Sequence, residues 1–239
     1  MCEQLLKGKV KQIYFRFLQS SHRSVLLALA GDKTNPFGIL GDDFNNEDAI
    51  LHHMISTGKS GGAQGIYFNK LFRAFWFKRY EEAAEMAEKY GGRLAMRFTD
   101  IYRVFYEGLI AFHFIRCSPQ DHKWFDIGKD AVSKFRVWVK HSKWNFENKL
   151  LLLEAELHYS NSENEDAKNK YEESINSAQK HHFVHEEGLA MELLGNFHKK
   201  NGNVVKASEN FAHARDCFKK WGAFAVVENL DANIHDGPE

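Results

Sequence analysis

Apolar residues recur at steps of three and four along most of this chain. From Leu94 the set Leu94, Phe98, Ile101, Tyr102, Phe105, Leu109 and Phe112 marks one buried stripe on a long helix. A second stripe runs from Gln64 to Lys78 through Ile66, Phe68, Leu71, Phe72, Phe75 and Trp76. Alternation of strand length is hard to find. Asn201-Gly202 reads as a helix end, because glycine is favoured just past the last turn. Further stops fall at Gly91-Gly92, Ser118-Pro119, Ser160 to Asn164 and Trp221-Gly222, and Asn45 with Asp48 opens a helix as its N-cap. These marks divide residues 60 to 220 into about eight helices with short turns. The expected class is all-α.

So many helices in series call for a search for repeats. Aligned on a small residue, Ala207 is followed by Phe211 and Ala214 and preceded by Gly202, Gly195 and Leu194. Ala167 is followed by Tyr171 and Ser174, Ala131 by Phe135, and Ala83 by Ala87. A small residue lets two helix backbones approach, and an aromatic one turn later fills the wedge between hairpins. The set around Ala207 resembles the tetratricopeptide repeat, and the other three are degenerate versions of it. The fold this implies is a tetratricopeptide-like superhelix of antiparallel hairpins, an α-α solenoid with irregular repeats. Residues 1–60 are expected to pack on or cap it, 61–230 to form the repeats, and 231–239 to be a polar tail.

Composition removes several function classes. Thirty-two basic residues balance thirty-two acidic ones, for a net charge of zero, so nucleic acid is not an expected partner. Only three prolines interrupt 239 residues, which leaves the chain free to be mostly helical. Cys2, Cys117 and Cys217 are far apart and match no metal or disulfide spacing, so they read as free thiols of a reducing compartment. The most apolar runs, Val25 to Ala30 and Val104 to Ile115, are too short or too interrupted to span a membrane, and the N-terminus lacks a signal-peptide core. A cytoplasmic protein is expected.

Candidate chemistry is sparse. Gly58-Lys59-Ser60 looks like the end of a phosphate-binding loop, but His53 stands where the motif needs its first glycine, and a helical run precedes it. Residues Gly61 to Gly65 then read as a flexible lead-in to the next helix. His181, His182 and His185 cluster beside Glu186 and Glu187, yet Leu189 occupies the zincin position, and the stretch reads as a solvated corner. Residues 123–149 interleave seven Lys and Arg with Trp124, Phe125, Phe135, Trp138, Trp144 and Phe146. The reading adopted is repeat helices with aromatics inward and lysines in water, against a basic surface for acidic partners or nucleic acid. No nucleophile–base pairing and no cofactor motif is present, so no enzyme is proposed.

The run from Phe183 to Leu193, Phe-Val-His-Glu-Glu-Gly-Leu-Ala-Met-Glu-Leu, resembles a segment of large signalling kinases. In those proteins an AAA-type ATPase precedes a degenerate tetratricopeptide-like region, followed by GAF or PAS sensors and a histidine-kinase core; some also carry an N-terminal protein-kinase (serine/threonine) domain. The run from Phe211 to Ala223, with its Lys-Lys-Trp-Gly-Ala close, and Val226 to Leu230 are similar to the end of that region, and Leu40 to Phe44 and Phe77 to Ala83 fit it upstream. Gly188 departs from the usual alanine, which weakens its helix, and bulky Phe224 follows the closing Trp-Gly-Ala. The resemblance implies a non-catalytic scaffold for protein partners or for neighbouring modules of a larger chain. Tetratricopeptide groove positions carried over fall on Lys149 and Glu156 in the third hairpin and Asn196 and Lys199 in the fourth. The alternative is a ligand-sensing regulatory domain whose aromatic interior around Phe98 to Phe112 encloses a small molecule.

Overall fold

A computed structural model describes residues 19–32, 47–58, 60–91, 97–118 and 120–235, and among these every regular element is a helix. Asn45, Leu94 and Pro119 lie outside the described residues, as do residues 40–44. The helices are α1 (residues 19–30), α2 (Glu47–Ser56), α3 (Ser60–Trp76), α4 (Tyr80–Tyr90), α5 (Phe98–Cys117), α6 (His122–His141), α7 (Lys143–Ser160), α8 (Asn164–Lys180), α9 (Val184–Lys200), α10 (Val204–Trp221) and α11 (Phe224–His235). The chain is all-α, built of tetratricopeptide-like hairpins of the α-solenoid class. It divides into two compact units, Met1–Arg103 and Val104–Glu239.

In the first unit α3 and α4 form a hairpin, and α2 packs on α3 through Leu51, Met54, Ala63 and Ile66. Gly61, Gly62 and Gly65, read from sequence as a flexible lead-in, belong to the first turns of α3. Packing overrides their poor helix propensity, since Gly62 lies against the Met54 side chain. A buried hydrogen bond from Asn69 Nδ2 to Ser21 Oγ, 2.5 Å, joins α3 to α1. At the start of α5, Asp100 accepts from the Arg97 amide at 3.0 Å and from Tyr90 Oη at 2.5 Å, while Arg97 Nη2 donates to Gln64 Oε1 at 2.7 Å. That arrangement caps α5 and ties it to α3 and α4. Burial, reinforced by the Asp100 carboxylate, pushes the Tyr90 phenol up.

In the second unit α7 and α8 form one hairpin and α9 and α10 another, with α11 following α10. Close approach depends on glycine at four sites. A Cβ on Gly108 would stand 2.8 Å from Ala131 Cβ, and one on Gly128 2.7 Å from Phe112 Cε1. On Gly195 it would meet Phe211 Cε1 at 2.6 Å, and on Gly188 it would meet Phe218 Cε1 at 2.7 Å and Cys217 Cβ at 2.9 Å. Gly188 is therefore not a weak point of α9 but the seat of Phe218, a ring that is fully buried.

One turn geometry recurs in both units. After α3, α7, α8, α9 and α10 a residue adopts positive φ: Lys78 (60°), Ser162 (64°), His182 (61°), Gly202 (77°) and Gly222 (84°). The next amide then bonds the carbonyl five residues back, as in Glu163 N to His158 O and Asn203 N to His198 O, both 2.9 Å. This left-handed closure satisfies carbonyls that a helix end leaves open. Phe224, first residue of α11, is 54% exposed, so its bulk disturbs no packing. Helix α11 runs on to His235, past the expected start of the polar tail.

Candidate partner-binding face

The four residues assigned from sequence to a groove separate into two pairs. Asn196 is exposed near the end of α9 and Lys199 is half-buried there, its Nζ donating to the Ile234 carbonyl of α11 at 3.3 Å. Lys149 and Glu156 instead lie between helices, each only 2% exposed. Their charges are met inside the chain.

Lys149 Nζ sits 2.8 Å from Glu186 on α9, donates to the Asn145 carbonyl at 3.0 Å, and lies 4.7 Å from the centre of the Phe183 ring. Asn148 Nδ2 also donates to Glu186, and Ser174 Oγ donates to the Asn148 carbonyl at 2.8 Å, bringing in α8. Burial lowers the Lys149 ammonium's pKa, against the pull of Glu186. His185 stacks on Trp221 at 5.1 Å and stands 3.5 Å from Glu186; burial holds its pKa below the ordinary imidazole value.

Glu156 forms the second node. Arg116 Nη2 on α5 lies 2.7 Å from its carboxylate, and Tyr171 Oη on α8 donates to the same group. Arg116 also donates to Ser160 Oγ at 3.2 Å and covers the Tyr159 ring at 4.8 Å. Burial disfavours the guanidinium's charge, yet Glu156 and Tyr171 hold its pKa above the usual value. The fully buried Tyr171 phenol is raised strongly, first by burial and then by Glu156. Each node spans successive helices of the stack and sets their spacing and rotation.

Other expectations change in detail. Phe98 is 67% exposed, whereas Phe105, Tyr106 and Phe112 are fully buried. Of the aromatics in 123–149, Phe135 and Trp138 are buried, while Trp144 is 58% exposed and packs at a tilt against His181, ring centres 4.0 Å apart. The corner at 181–187 is only partly solvated, since Glu186 is buried. Sequence reasoning missed Glu186, Arg116, Asn148 and Tyr171 as partners. The available signal was opposite charge at about one repeat's separation: Lys149 and Glu186 are 37 positions apart. Among the described residues no helix is long and apolar enough to cross a membrane.

The family model described as CHK1-like, TPR repeats matches residues 53–191, more than half of the chain. No curated protein matches the chain.

Proposed function

The chain belongs to the CHK1-like TPR-repeat family, and from that premise we propose that it is a non-catalytic scaffold holding neighbouring modules of a large signalling ATPase–kinase, or a relative of such a region. Repeats of this kind generally serve protein–protein interaction, each hairpin burying one face on the next and leaving a helix face for a partner. The family match over 53–191 supports the repeat-scaffold part of this reading. The similarity of 183–193 and 211–230 to the end of the helical region in such kinases supports the parent architecture. In this reading Lys149 and Glu156 act as positioning residues, fixing the helices that bear the face. Asn196 and Lys199 supply contact atoms at its edge.

The test has two parts. Sequencing outward from both ends of the coding region and sizing the native product decides the parentage; a product several times 27.7 kDa with ATPase or kinase modules is expected, and one of this size overturns it. Binding in trans between this chain and the adjacent modules decides the scaffold role. The doubly substituted Asn196→Asp/Lys199→Glu chain is expected to bind at least about tenfold more weakly, which is ~1.4 kcal/mol. Unchanged binding removes those two residues from the face.

A further inference from the structure

We infer that the α7–α8 turn is a binding site for a divalent transition cation of the zinc type, held by His158, Glu163 and Asp166. These residues stand in the last turn of α7, at the N-cap of α8 and in the first turn of α8. Their ligand atoms all lie within 4.8 Å of one another, and His158 Nδ1 is 2.5 Å from Glu163 Oε2. One imidazole nitrogen and two carboxylate oxygens make a donor set that suits Zn²⁺, with two negative charges to offset two positive ones.

Asp166 also faces the partial positive charge at the start of α8, but the turn's backbone does not hold the Glu163 carboxylate. The following turn, between α9 and α10, has the same backbone: Asn203 N bonds His198 O at 2.9 Å, as Glu163 N bonds His158 O at 2.9 Å. There a histidine occupies the same place, but Asn203 and Lys206 stand where Glu163 and Asp166 stand here. Asn203 caps its helix, its side chain accepting from the Lys206 amide at 3.2 Å. Glu163 makes no cap hydrogen bond; its carboxylate is turned to His158. One turn thus spends its polar groups on the helix end, and the other gathers three donors around a point. Glu165 is tied to Lys168 at 3.2 Å and leaves the other two carboxylates to the site.

Zinc at about 2.0–2.2 Å from each ligand needs donors ~3.5 Å apart, so His158 Nδ1 and Glu163 Oε2 open from 2.5 Å while donors lying farther apart, up to 4.8 Å, close in. The His158 and Glu163 side chains are 28% and 46% exposed, so they can swing without unpacking the core. The cation replaces the direct His158–Glu163 contact. Three protein ligands leave a coordination position for water or for a donor from a partner.

The experiment is calorimetric titration of the metal-free, tag-free chain with zinc chloride, with Co²⁺ absorption as a second readout. One equivalent is expected to bind, at least about tenfold more weakly in His158→Ala, in the isosteric Glu163→Gln and in Asp166→Lys, and unchanged in His198→Ala. Circular dichroism melting shows that each variant is folded, and Glu163→Gln, which keeps size and shape, carries the test if another variant is not. Absence of saturable binding overturns the inference. Binding indifferent to the three substitutions overturns it equally, since the metal then sits on other histidines or thiols.

Discussion

Replacing Lys149 by methionine tests the claim that buried ion pairs hold the hairpins of the second unit in register. The substitution keeps the unbranched apolar stem of the side chain, one atom shorter, and removes the ammonium that lies 2.8 Å from Glu186. Glu186, 2% exposed, is left with the Asn148 amide and the His185 imidazole as its described partners near the lost charge. Stranding one member of a buried pair costs about 3–5 kcal/mol. Because Asn148 still donates to the carboxylate, the lower end applies, about 3 kcal/mol. At roughly 2–4 °C per kcal/mol for a chain of this size, melting falls by ~6–12 °C. Urea unfolding followed by helical circular dichroism measures it, as a lower midpoint at an unchanged slope. Removing the second charge as well, in Lys149→Met/Glu186→Gln, is expected to recover the loss to within about 1 kcal/mol, because no charge is stranded and the amide oxygen at 186 still accepts from Asn148. A single-variant loss below about 1 kcal/mol, or a double variant no better than the single, refutes the reasoning.

Three further outcomes follow from the packing and the turns. Gly188→Ala, which helix propensity alone would make stabilising, is expected to cost about 1–3 kcal/mol in urea unfolding through overpacking on Phe218 and Cys217, whereas Gly61→Ala, with nothing closer than 3.6 Å, is expected to stabilise by up to ~1 kcal/mol. His182→Gly relieves a left-handed residue at φ 61° and is expected to raise stability by about 1 kcal/mol, while Gly202→Ala, at φ 77°, loses a similar amount. His185 is buried and its pKa is lowered, chiefly by desolvation, with Lys149 adding to the effect and Glu186 opposing it. The unfolded chain therefore binds its proton first, so stability is full above about pH 6.5 and is lost as pH falls through the lower folded value. His185→Gln is expected to shallow that acid-side slope in a pH series of melting curves, and an unchanged slope would remove His185 from it.

How much was legible in the sequence differs by element. The small residues Ala83, Ala131, Ala167 and Ala207 are all buried; three mark the second helices of hairpins, and Ala131 on α6 faces Gly108 of α5. They were readable because close helix approach demands a small side chain at a fixed register, and that demand is local. Gly202 and Gly222 announced their turns for the same reason. Lys78, Ser162 and His182 form the same left-handed closure without glycine; polar runs marked the turns at Ser162 and His182, whereas nothing marked Lys78. There the geometry is imposed by the two helices on either side, at an energetic cost that their packing offsets.

The order, number and type of the helices, and membership of a repeat class, were determined by periodicity and punctuation along the chain, because both act over a few residues. The fate of individual polar groups was decided only by the tertiary structure. Groove register put Lys149 and Glu156 on an open face, but the residues that cover them, Glu186 on α9 and Arg116 on α5, come from neighbouring hairpins. Gly188 looked like a flaw until Phe218 was placed against it, and His158 and Asp166 met only when the α7–α8 turn closed. Burial and charge pairing depend on which helix packs next. Periodicity says which face of a helix is apolar, and not which charged partner lies across it.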